Sequence, residues 1–398
     1  MSGPRRRVLY VNPAAERGGG EVILLNVLRF LPKHDFRAEV VLLAQGPLAA
    51  ELRASGVRTY VLPAGRFRQP WHLLRTLGHL ARLAQRRNIA LIESAGAKGH
   101  LYGGLAAWLT GVPAVWRLQD LPTPREPWTR LAGLMPSAGI VALSRASLAA
   151  YARLRRLPAR TAVVYPGVQY TSDTVAHGPD AAVVSSVRDE FGVSIGTAVV
   201  TMVGRLQRWK GQHVFLVAAA RVLKDRHDVH FLVVGGTMFG LEPDYERELK
   251  DLAERTGITD RVTFTGQRDD VARLLAATDV LVHASITPEP FGQVIVEGMA
   301  QGKAVVATAA GGPLEIITNG VDGVLVPPDD PAALSAALVS LLDDPPRRAR
   351  LGAAAQRTVQ DRFTVEAMAA GFARFYDDVL GSRARANGSG SRGAGAPV

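Results

Sequence analysis

Cysteine is absent from the 398 residues of the sequence, which excludes disulfides, iron–sulfur clusters, cysteine-ligated zinc and thiol nucleophiles. No apolar run reaches the roughly 18 residues that a membrane-spanning helix needs. The longest nearly apolar run, 103–116, is interrupted by Thr110 and Pro113. The basic N-terminus lacks the apolar stretch and the cleavage site of a signal peptide. We therefore expect a cytoplasmic protein.

Negative charge is scarce in the first part of the chain. Residues 1–170 hold 24 Lys and Arg against 8 Asp and Glu, a net charge of +16, whereas residues 171–398 carry −5. The whole chain has a net charge of +11 and a pI of about 10.3. An excess of this size indicates an anionic partner, such as nucleic acid, a membrane surface or a phosphorylated small molecule.

Short β-branched runs alternate with longer amphipathic stretches along the chain. This pattern is typical of parallel sheets that are covered by helices on both faces, so we predict an α/β fold with two doubly wound domains. The first series of predicted strands comprises 8–12, 38–43, 59–62, 90–93, 114–117, 140–143 and 162–165. The second series comprises 198–203, 230–234, 261–264, 280–283, 304–308 and 324–326.

Changes in composition indicate the domain boundaries. Residues 169–179 are polar and lack periodicity, and the C-terminal tail is rich in Gly, Ser, Arg and Ala. Ligands of doubly wound sheets bind beyond the carboxyl ends of the strands, so we expect a cleft between two facing domains. The predicted segments are a first domain at 1–168, a linker at 169–184, a second domain at 185–363, a helix at 364–380 that returns to the first domain, and a disordered tail at 381–398.

A glycine-rich segment connects the first predicted strand to the first predicted helix. Gly18, Gly19 and Gly20 would let backbone N–H groups approach a phosphate at the helix N-terminus. The segment fits neither of the two common phosphate-binding patterns. A flexible turn is therefore an equally good interpretation.

In the second series of predicted strands, basic and acidic residues lie in segments that follow a strand, as the glycine-rich segment does in the first series. Arg205 and Lys210 flank the segment after strand 198–203, where they could bind a phosphate, although a solvated basic loop is the simpler interpretation. Glu289 and Glu297 are separated by seven residues, and Glu297 falls within an apolar helix. A buried carboxylate needs hydroxyl or N–H partners. A sugar and a ribose would supply them; helix capping is the alternative for Glu289.

Together these segments resemble glycosyltransferase family 4 (group 1), the retaining nucleotide-sugar transferases with the GT-B fold. The resemblance rests on Gly-Gly-Gly-Glu after the first strand, on Gly-Arg-Leu-x3-Lys-Gly at 204–211 and on Glu-x7-Glu at 289–297. It covers about residues 8–380. It implies two facing Rossmann-like domains with parallel sheets and an interdomain cleft, in which the first domain binds the acceptor and the second binds the nucleotide sugar.

The resemblance also implies a role for each matching residue. Glu289 would contact hydroxyls of the transferred sugar, and Glu297 would accept hydrogen bonds from the ribose. Arg205 and Lys210 would neutralise the diphosphate of the leaving nucleotide, a form of electrostatic stabilisation that needs no metal. Main-chain N–H groups for the donor would come from Gly19, Gly20, Phe291, Gly292, Gln293 and Val294.

One segment departs from the family pattern. Gln119 and Asp120 stand where many members have His-Asp, and a glutamine side chain cannot carry charge. We still assign both residues to the catalytic site, with the backbone carbonyl of Gln119 stabilising positive charge at the anomeric carbon. Gln267 and Arg268 are expected at the nucleotide base, which the sequence leaves open among UDP, GDP and dTDP. No metal or other cofactor is expected.

The charge distribution bears on the acceptor, because the positive excess lies in the half that would bind it. We expect a lipid-linked or anionic glycan acceptor of polysaccharide, lipopolysaccharide or glycolipid biosynthesis, with contact to the inner face of an anionic cell membrane. An ordinary solvated helix face is the alternative interpretation. The basic residues concerned are Arg66, Arg68, Arg75, Arg82, Arg86 and Arg87 in one cluster, and Arg145, Arg153, Arg155, Arg156 and Arg160 in another.

Two other function classes remain open. A nucleotide-sugar epimerase can have the same fold, and a non-catalytic nucleotide-sugar-binding protein would be compatible with Gln119. Nucleic acid is not expected as a partner, because the basic half has few aromatic residues and no recognisable nucleic-acid-binding module.

Overall fold

The computed structural model describes residues 6–16, 18–64, 70–122, 127–154, 157–169, 180–237 and 242–389. The chain divides into two compact units. Unit 1 comprises Met1–Gly167 and Val365–Val398, and unit 2 comprises Val168–Thr364. The predicted basic residues Arg66, Arg68, Arg155 and Arg156, and most of the predicted linker, lie outside the described residues.

Unit 1 contains a seven-stranded parallel sheet with the order β3-β2-β1-β4-β5-β6-β7. Every strand of the first predicted series is present, and the observed ends differ from the predicted ones by a few residues. The strands are β1 (Arg6–Asn12), β2 (Phe36–Leu42), β3 (Arg58–Val61), β4 (Ile89–Ala95), β5 (Ala114–Leu118), β6 (Gly139–Ala142) and β7 (Thr161–Val163).

Helices cover both faces of this sheet because the strands are apolar on both sides. Tyr10 and Val115 point to one core, which also contains Leu24 and Phe372 of the covering helices. Neighbouring strand residues such as Trp116 point to the opposite face. One layer consists of α1 (Gly19–Phe30), α2 (Leu48–Ala54) and α15 (Val365–Ser389). The other consists of α3 (Pro70–Arg86), α4 (Gly96–Thr110), α5 (Pro127–Gly133) and α6 (Arg145–Ala152).

Unit 2 contains a six-stranded parallel sheet with the order β10-β9-β8-β11-β12-β13. All six strands of the second predicted series are present: β8 (Ala198–Val203), β9 (Val229–Val234), β10 (Val262–Gly266), β11 (Val280–His283), β12 (Ala304–Thr308) and β13 (Val324–Val326). The helices are α7 (Ala181–Glu190), α8 (Gln212–Val222), α9 (Tyr245–Arg255), α10 (Val271–Ala276), α11 (Gln293–Ala300), α12 (Pro313–Ile316), α13 (Pro331–Leu342) and α14 (Pro345–Arg362).

Both sheets reverse their strand order at one place. In unit 1 the reversal lies between β1 and β4, and in unit 2 it lies between β8 and β11. The segments that follow two such neighbouring strands diverge to opposite sides of the sheet, which leaves room for a ligand at the carboxyl edge. The glycine segment after β1, the basic segment after β8 and the Glu289 segment after β11 all start at these reversal points.

Two predicted boundaries are wrong. Helix α7 begins at Ala181, within the predicted linker 169–184, because the Asp180 side chain accepts a hydrogen bond from the Ala182 N–H and Val187 packs into the core. Helix α15 continues to Ser389, although disorder was predicted from residue 381. Residues 383–386 read Arg-Ala-Arg-Ala, and both residue types favour helix propagation. No helix within the described ranges is long and apolar enough to cross a membrane.

Candidate functional site

The basic segment after β8 is held against the segment after β11. Gly211 ends a short 3-10 turn with φ +80, and a Cβ atom there would lie 2.0 Å from the Ala284 carbonyl oxygen. The Ile286 N–H donates to the Trp209 carbonyl at 2.8 Å. Only glycine allows both this conformation and this approach. The side chain of Lys210 is thereby placed beside the residues that follow β11.

Glu289 is the centre of a buried polar cluster in unit 2. Its Oε2 atom lies 2.6 Å from Lys210 Nζ, 3.1 Å from His283 Nε2 and 3.0 Å from Ser285 Oγ. The residue is 7% exposed. Burial by itself would raise the pKa of the carboxyl group, but Lys210 and His283 outweigh it and hold the pKa well below the usual range. Glu289 is therefore ionised and fixed in orientation through one of its two oxygens.

The backbone of Glu289 is fixed as firmly as its side chain. Its N–H donates to the Ala310 carbonyl at 3.1 Å, and its carbonyl accepts from the Gly312 N–H at 2.8 Å. Gly311 has φ +75, and a Cβ atom there would lie 2.3 Å from the Glu289 carbonyl oxygen. The glycines after β12 thus allow the two segments to pair closely.

Helix α11 begins directly after this segment. Gly292 adopts φ +103 and precedes the first helical residue, Gln293. The first N–H groups of a helix lack intrahelical acceptors and lie at the positive end of the helix dipole, which favours an anion. Both polar atoms of the Gln293 side chain are buried and have no hydrogen-bond partner among the described residues. This end of α11 can therefore accept a phosphate.

The other predicted residues of unit 2 differ in their surroundings. Arg205 is partly buried in the segment after β8, and Glu297 is partly buried within α11. Phe291 is buried and packs against Phe363, with 5.9 Å between ring centroids. Within unit 2, the structure brings the predicted residues Lys210 and Glu289 into direct contact.

The two residues expected at the base follow β10. Gln267 is exposed. The Arg268 guanidinium forms hydrogen bonds of 2.8 Å with both carboxylate oxygens of Asp270 and one of 2.7 Å with Glu190. These hydrogen bonds raise the pKa of Arg268 further above its ordinary value. The side chain of Arg268 is therefore engaged within unit 2, and its main chain is the part that could face a base.

His283 and Ser285 are site residues that the sequence analysis did not identify. Both are buried, and the Ser285 Oγ lies 3.1 Å from His283 Nε2 as well as near Glu289. The signal available in the sequence is their position: polar side chains at the end of β11, a strand that otherwise reads Val-Leu-Val. Polar residues at the carboxyl edge of a parallel strand are candidates for a ligand site.

In unit 1, the glycine segment is organised by Glu21. The Glu21 Oε2 accepts from the Gly18 N–H at 3.2 Å, and its Oε1 accepts from Asn12 Nδ2 at 3.1 Å. Helix α1 begins at Gly19. The segment is therefore an ordered, capped helix N-terminus. The carboxylate in the first turn of α1 accepts one backbone N–H and also fixes the side chain at the end of β1.

Gly20 and Gln119 lie against each other in unit 1. A Cβ atom on Gly20 would be 2.7 Å from Gln119 Nε2 and 2.9 Å from its Oε1. The Oε1 atom is buried and has no hydrogen-bond partner among the described residues. Asp120, the next residue, is exposed, and a Cβ atom on Gly96 would lie 3.2 Å from its Oδ2. Three of the predicted residues of unit 1 thus lie at one part of the carboxyl edge.

A buried charged cluster lies beneath this edge. The Arg117 Nε atom is 3.3 Å from Glu93 Oε1, and each side chain is 1% exposed. Tyr376 of α15 donates a hydrogen bond to Glu93 Oε2 and lies 3.2 Å from the Tyr10 hydroxyl. Burial raises the pKa values of Glu93, Tyr10 and Tyr376. The cluster joins α15 to β1, β4 and β5.

The described residues contain no group of three or more His, Cys, Asp or Glu side chains that could hold a metal ion.

Two family models and a solved structure match this chain. The family model described as glycosyl transferases group 1 matches residues 183–358, and the model described as glycosyltransferase family 4 matches residues 17–171. The solved structure of Anabaena HepE in complex with UDP and glucose is 30% identical, with a TM-score of 0.81; the match covers 92% of this chain and 98% of HepE.

Curated relatives of this chain include D-inositol 3-phosphate glycosyltransferases. The one from Xylanimonas cellulosilytica is 29% identical over 94% of this chain and 96% of the relative. The one from Corynebacterium kroppenstedtii is 37% identical over 56% of this chain, and the match spans 49% of that relative. Matched over both units by family models and over nearly its whole length by HepE, the chain belongs to the group 1 glycosyltransferases with the GT-B fold.

Proposed function

We propose that the protein transfers a sugar, with retention of anomeric configuration, from a nucleotide-diphosphate sugar to a lipid-linked or otherwise anionic glycan acceptor. The observation that carries the proposal is the buried Lys210–Glu289 pair at the strand reversal of unit 2. Among the residues that the structure describes, the hydrogen bonds and ion pairs of the Glu289 carboxylate use Oε2. Oε1 is therefore the oxygen that would accept hydrogen bonds from sugar hydroxyls.

The diphosphate would be bound by positive charge that is already in place. Lys210, Arg205 and the N-terminus of α11 lie on the segments that follow β8 and β11, and charge develops on the leaving diphosphate in the transition state. Preorganised donors at that point stabilise the transition state more than the ground state. In this proposal no metal is required, and the leaving phosphate itself accepts the acceptor proton.

The remaining predicted residues complete the donor site in this proposal. Glu297 would bind the ribose, and Gln267 and the Arg268 main chain would lie at the base. Gly19 and Gly20 would supply main-chain N–H groups, and Gln119 with Asp120 would act at the anomeric carbon. UDP is the favoured nucleotide, since HepE, 30% identical over nearly its whole length, binds UDP.

An anionic acceptor is supported by the surface charge of unit 1. Three of its carboxylates, Glu21, Glu39 and Glu93, are buried against one arginine, Arg117, so the exposed surface is somewhat more positive than the residue count indicates. The curated relatives are named for a phosphorylated acceptor, inositol 3-phosphate. We place the acceptor of this protein at the inner face of an anionic membrane, where glycans and glycolipids are assembled.

Glu289→Ala tests the proposal, with Glu254→Ala as the matched control because Glu254 is exposed on α9. Thermal-shift measurements with UDP-, GDP- and dTDP-sugars first identify the donor, since binding stabilises the native state. We expect Glu289→Ala to retain its fold and lose at least about 99% of nucleotide release, with no loss in the control. Normal turnover by Glu289→Ala would remove this residue from the mechanism. Turnover that EDTA abolishes would refute metal independence.

Product analysis separates the transferase from the two other classes. A nucleotide-sugar epimerase would convert the donor into an isomer when acceptor is absent. A non-catalytic binder would show a thermal shift and no turnover with any acceptor.

A further inference from the structure

Carboxylates are distributed unevenly between the two helical layers of unit 1. Helices α3, α4, α5 and α6 contain no Asp or Glu. Between residues 52 and 167 the sequence has only three: Glu93, Asp120 and Glu126. Glu93 is buried in β4, Asp120 follows β5, and Glu126 lies outside the described residues. The outer surface of these four helices therefore carries positive charge without compensating negative charge.

The opposite layer has an ordinary mixed surface. Helices α2 and α15 contain Glu51, Glu366, Asp377 and Asp378 in addition to their arginines. The absence of carboxylates is thus a property of one face of unit 1 and does not follow from the composition of the whole unit.

The same face exposes large apolar side chains. Trp71 and Leu74 of α3 are 80% and 58% exposed, and Trp108 and Leu109 of α4 are 67% and 54% exposed. Leu131 of α5 and Leu134, which directly follows α5, are also exposed. Six of the ten exposed large hydrophobic residues in the described part of the chain belong to this face. Such a concentration marks an interaction surface.

The exposed residues share the outward side of adjacent helices. On α3, Trp71, Arg75, Arg82 and Arg86 recur at spacings of four or seven residues and are all exposed, so they line one side of the helix. On α4, Gly104 touches the segment that directly follows α5, because a Cβ atom there would lie 2.9 Å from Met135 Cβ. Trp108 lies one turn further along the same side of α4. The apolar residues of α4 and of the segment after α5 are therefore neighbours.

We propose that the outer face of α3–α6 binds an anionic phospholipid bilayer. The arginines would interact with lipid phosphates, while Trp71 and Trp108 would lie at the headgroup level, where amphipathic aromatic rings are favoured. Exposed leucines gain free energy in a bilayer but not against the polar backbone of a nucleic acid, which favours the membrane. The inference deepens the proposed function, since it rests on a membrane-linked acceptor and assigns the surface that meets the membrane.

Charge reversal on the two layers provides a matched test. The variant Arg75→Glu/Arg82→Glu/Arg86→Glu changes the proposed face, and Arg29→Glu/Arg53→Glu/Arg374→Glu makes the same change in net charge on α1, α2 and α15. Full-length protein is sedimented with phosphatidylcholine vesicles that do or do not contain 30 mol% phosphatidylglycerol. We expect the α3 variant to bind anionic vesicles at least about tenfold more weakly than wild type, and the control variant to bind within about threefold of it.

A second measurement reports on the tryptophans. Brominated lipids should quench the fluorescence of the wild type on anionic vesicles, and Trp71→Phe/Trp108→Phe should remove most of that quenching. Equal loss of vesicle binding in both charge variants, or no binding by the wild type, would overturn the proposal. Retention of a DNA duplex that follows the same pattern, without vesicle binding, would assign the face to nucleic acid. The thermal shift with the donor tests the transferase separately, because it requires no vesicles.

Discussion

Lys210 Nζ lies 2.6 Å from Glu289 Oε2, and the two residues come from the segments after β8 and β11. The side chains are 17% and 9% exposed, so little water screens the pair. Each side chain therefore compensates a charge that the other would otherwise hold in a largely buried place. The ion pair therefore fixes the position of the Lys210 ammonium group relative to the Glu289 carboxylate.

Breaking the pair from one side should be costly. We expect Lys210→Met to lower the free energy of unfolding by roughly 2–4 kcal/mol, because it leaves the Glu289 carboxylate buried without a cation. In Lys210→Met/Glu289→Gln the loss should be smaller than the sum of the two single losses by at least about 1 kcal/mol. Urea denaturation at pH 7 measures all four proteins. Additive single effects would contradict the coupling.

The same pair predicts that the stability of the fold depends on pH in the acidic range. The native pKa of Glu289 is lowered, so its stabilisation is present above the ordinary glutamate pKa of about 4.3 and is lost as the pH falls towards the native value. Between pH 7 and pH 3.5 the wild type should therefore lose more stability than Glu289→Gln. An equal loss in both proteins would show that other groups cause the acid sensitivity.

Gly20→Ala should impair activity without impairing the fold. The new methyl group would meet the Gln119 amide at 2.7 Å, and a flexible side chain can move away. Alanine also favours the first turn of α1 by up to about 1 kcal/mol. We expect an unchanged or higher melting temperature and at least about tenfold lower kcat/KM. In a Gln119→Ala background the same substitution should have little further effect; an undiminished loss there would disprove the contact.

Gly311 and Gly320 form a matched pair for the site of Glu289. Both have positive φ, +75 and +78, but a Cβ atom on Gly311 would lie 2.3 Å from the Glu289 carbonyl oxygen, whereas one on Gly320 would meet nothing within 4 Å. Gly320→Ala should cost roughly 1–2 kcal/mol from backbone strain alone. Gly311→Ala should cost roughly 3 kcal/mol or more, since overpacking is added. Chemical denaturation would show equal costs if the contact were unimportant.

The buried Lys303 predicts that the stability of the fold changes with pH in the alkaline range. It is 9% exposed, its Nζ donates to the Ala276 carbonyl at 2.8 Å, and burial lowers its pKa to about 8. The unfolded chain therefore binds more protons than the native state between about pH 8 and 10.4, and the fold becomes more stable as the pH rises through that range because the cost of the buried charge is lost. At pH 7 its burial costs roughly 3 kcal/mol.

Lys303→Met should remove that cost and one hydrogen bond. The expected net gain at pH 7 is roughly 1–2 kcal/mol, and it should shrink at pH 9.5, where the wild-type lysine is largely neutral. Lys224→Met, at an exposed position, is the control and should change stability by less than about 0.5 kcal/mol at either pH. A gain that is independent of pH would rule out protonation as its cause.

Much of the fold was predictable because strands in doubly wound sheets have a local signature. The thirteen predicted strands are all present, since a buried parallel strand must be apolar on both faces and therefore stands out as a short β-branched run. The extent of α15 was not predictable from the tail composition. The Gly and Ser content of the tail predicts disorder, but the Arg and Ala residues favour helix, and the helix continues to Ser389.

The site was predictable only in part. Lys210 and Glu289 belong to motifs with fixed spacing, so the sequence alone singles them out. His283 and Ser285 carry no such spacing, and their partner is recognisable only when β11 and the segment after it are folded together. The roles proposed for Arg205, Glu297, Gln119 and Asp120 remain predictions that the variants above can examine.

The sequence by itself determined the alternation of strands and helices, the family and the positions of the glycine-bearing segments, because these depend on local propensity and on short motifs. Only the tertiary structure decided that Lys210, His283 and Ser285 converge on one oxygen of Glu289, and that the acid-free helices α3–α6 share one face of a sheet. Such relationships join residues that are distant in the chain. They are fixed by strand order and packing, which no single segment encodes.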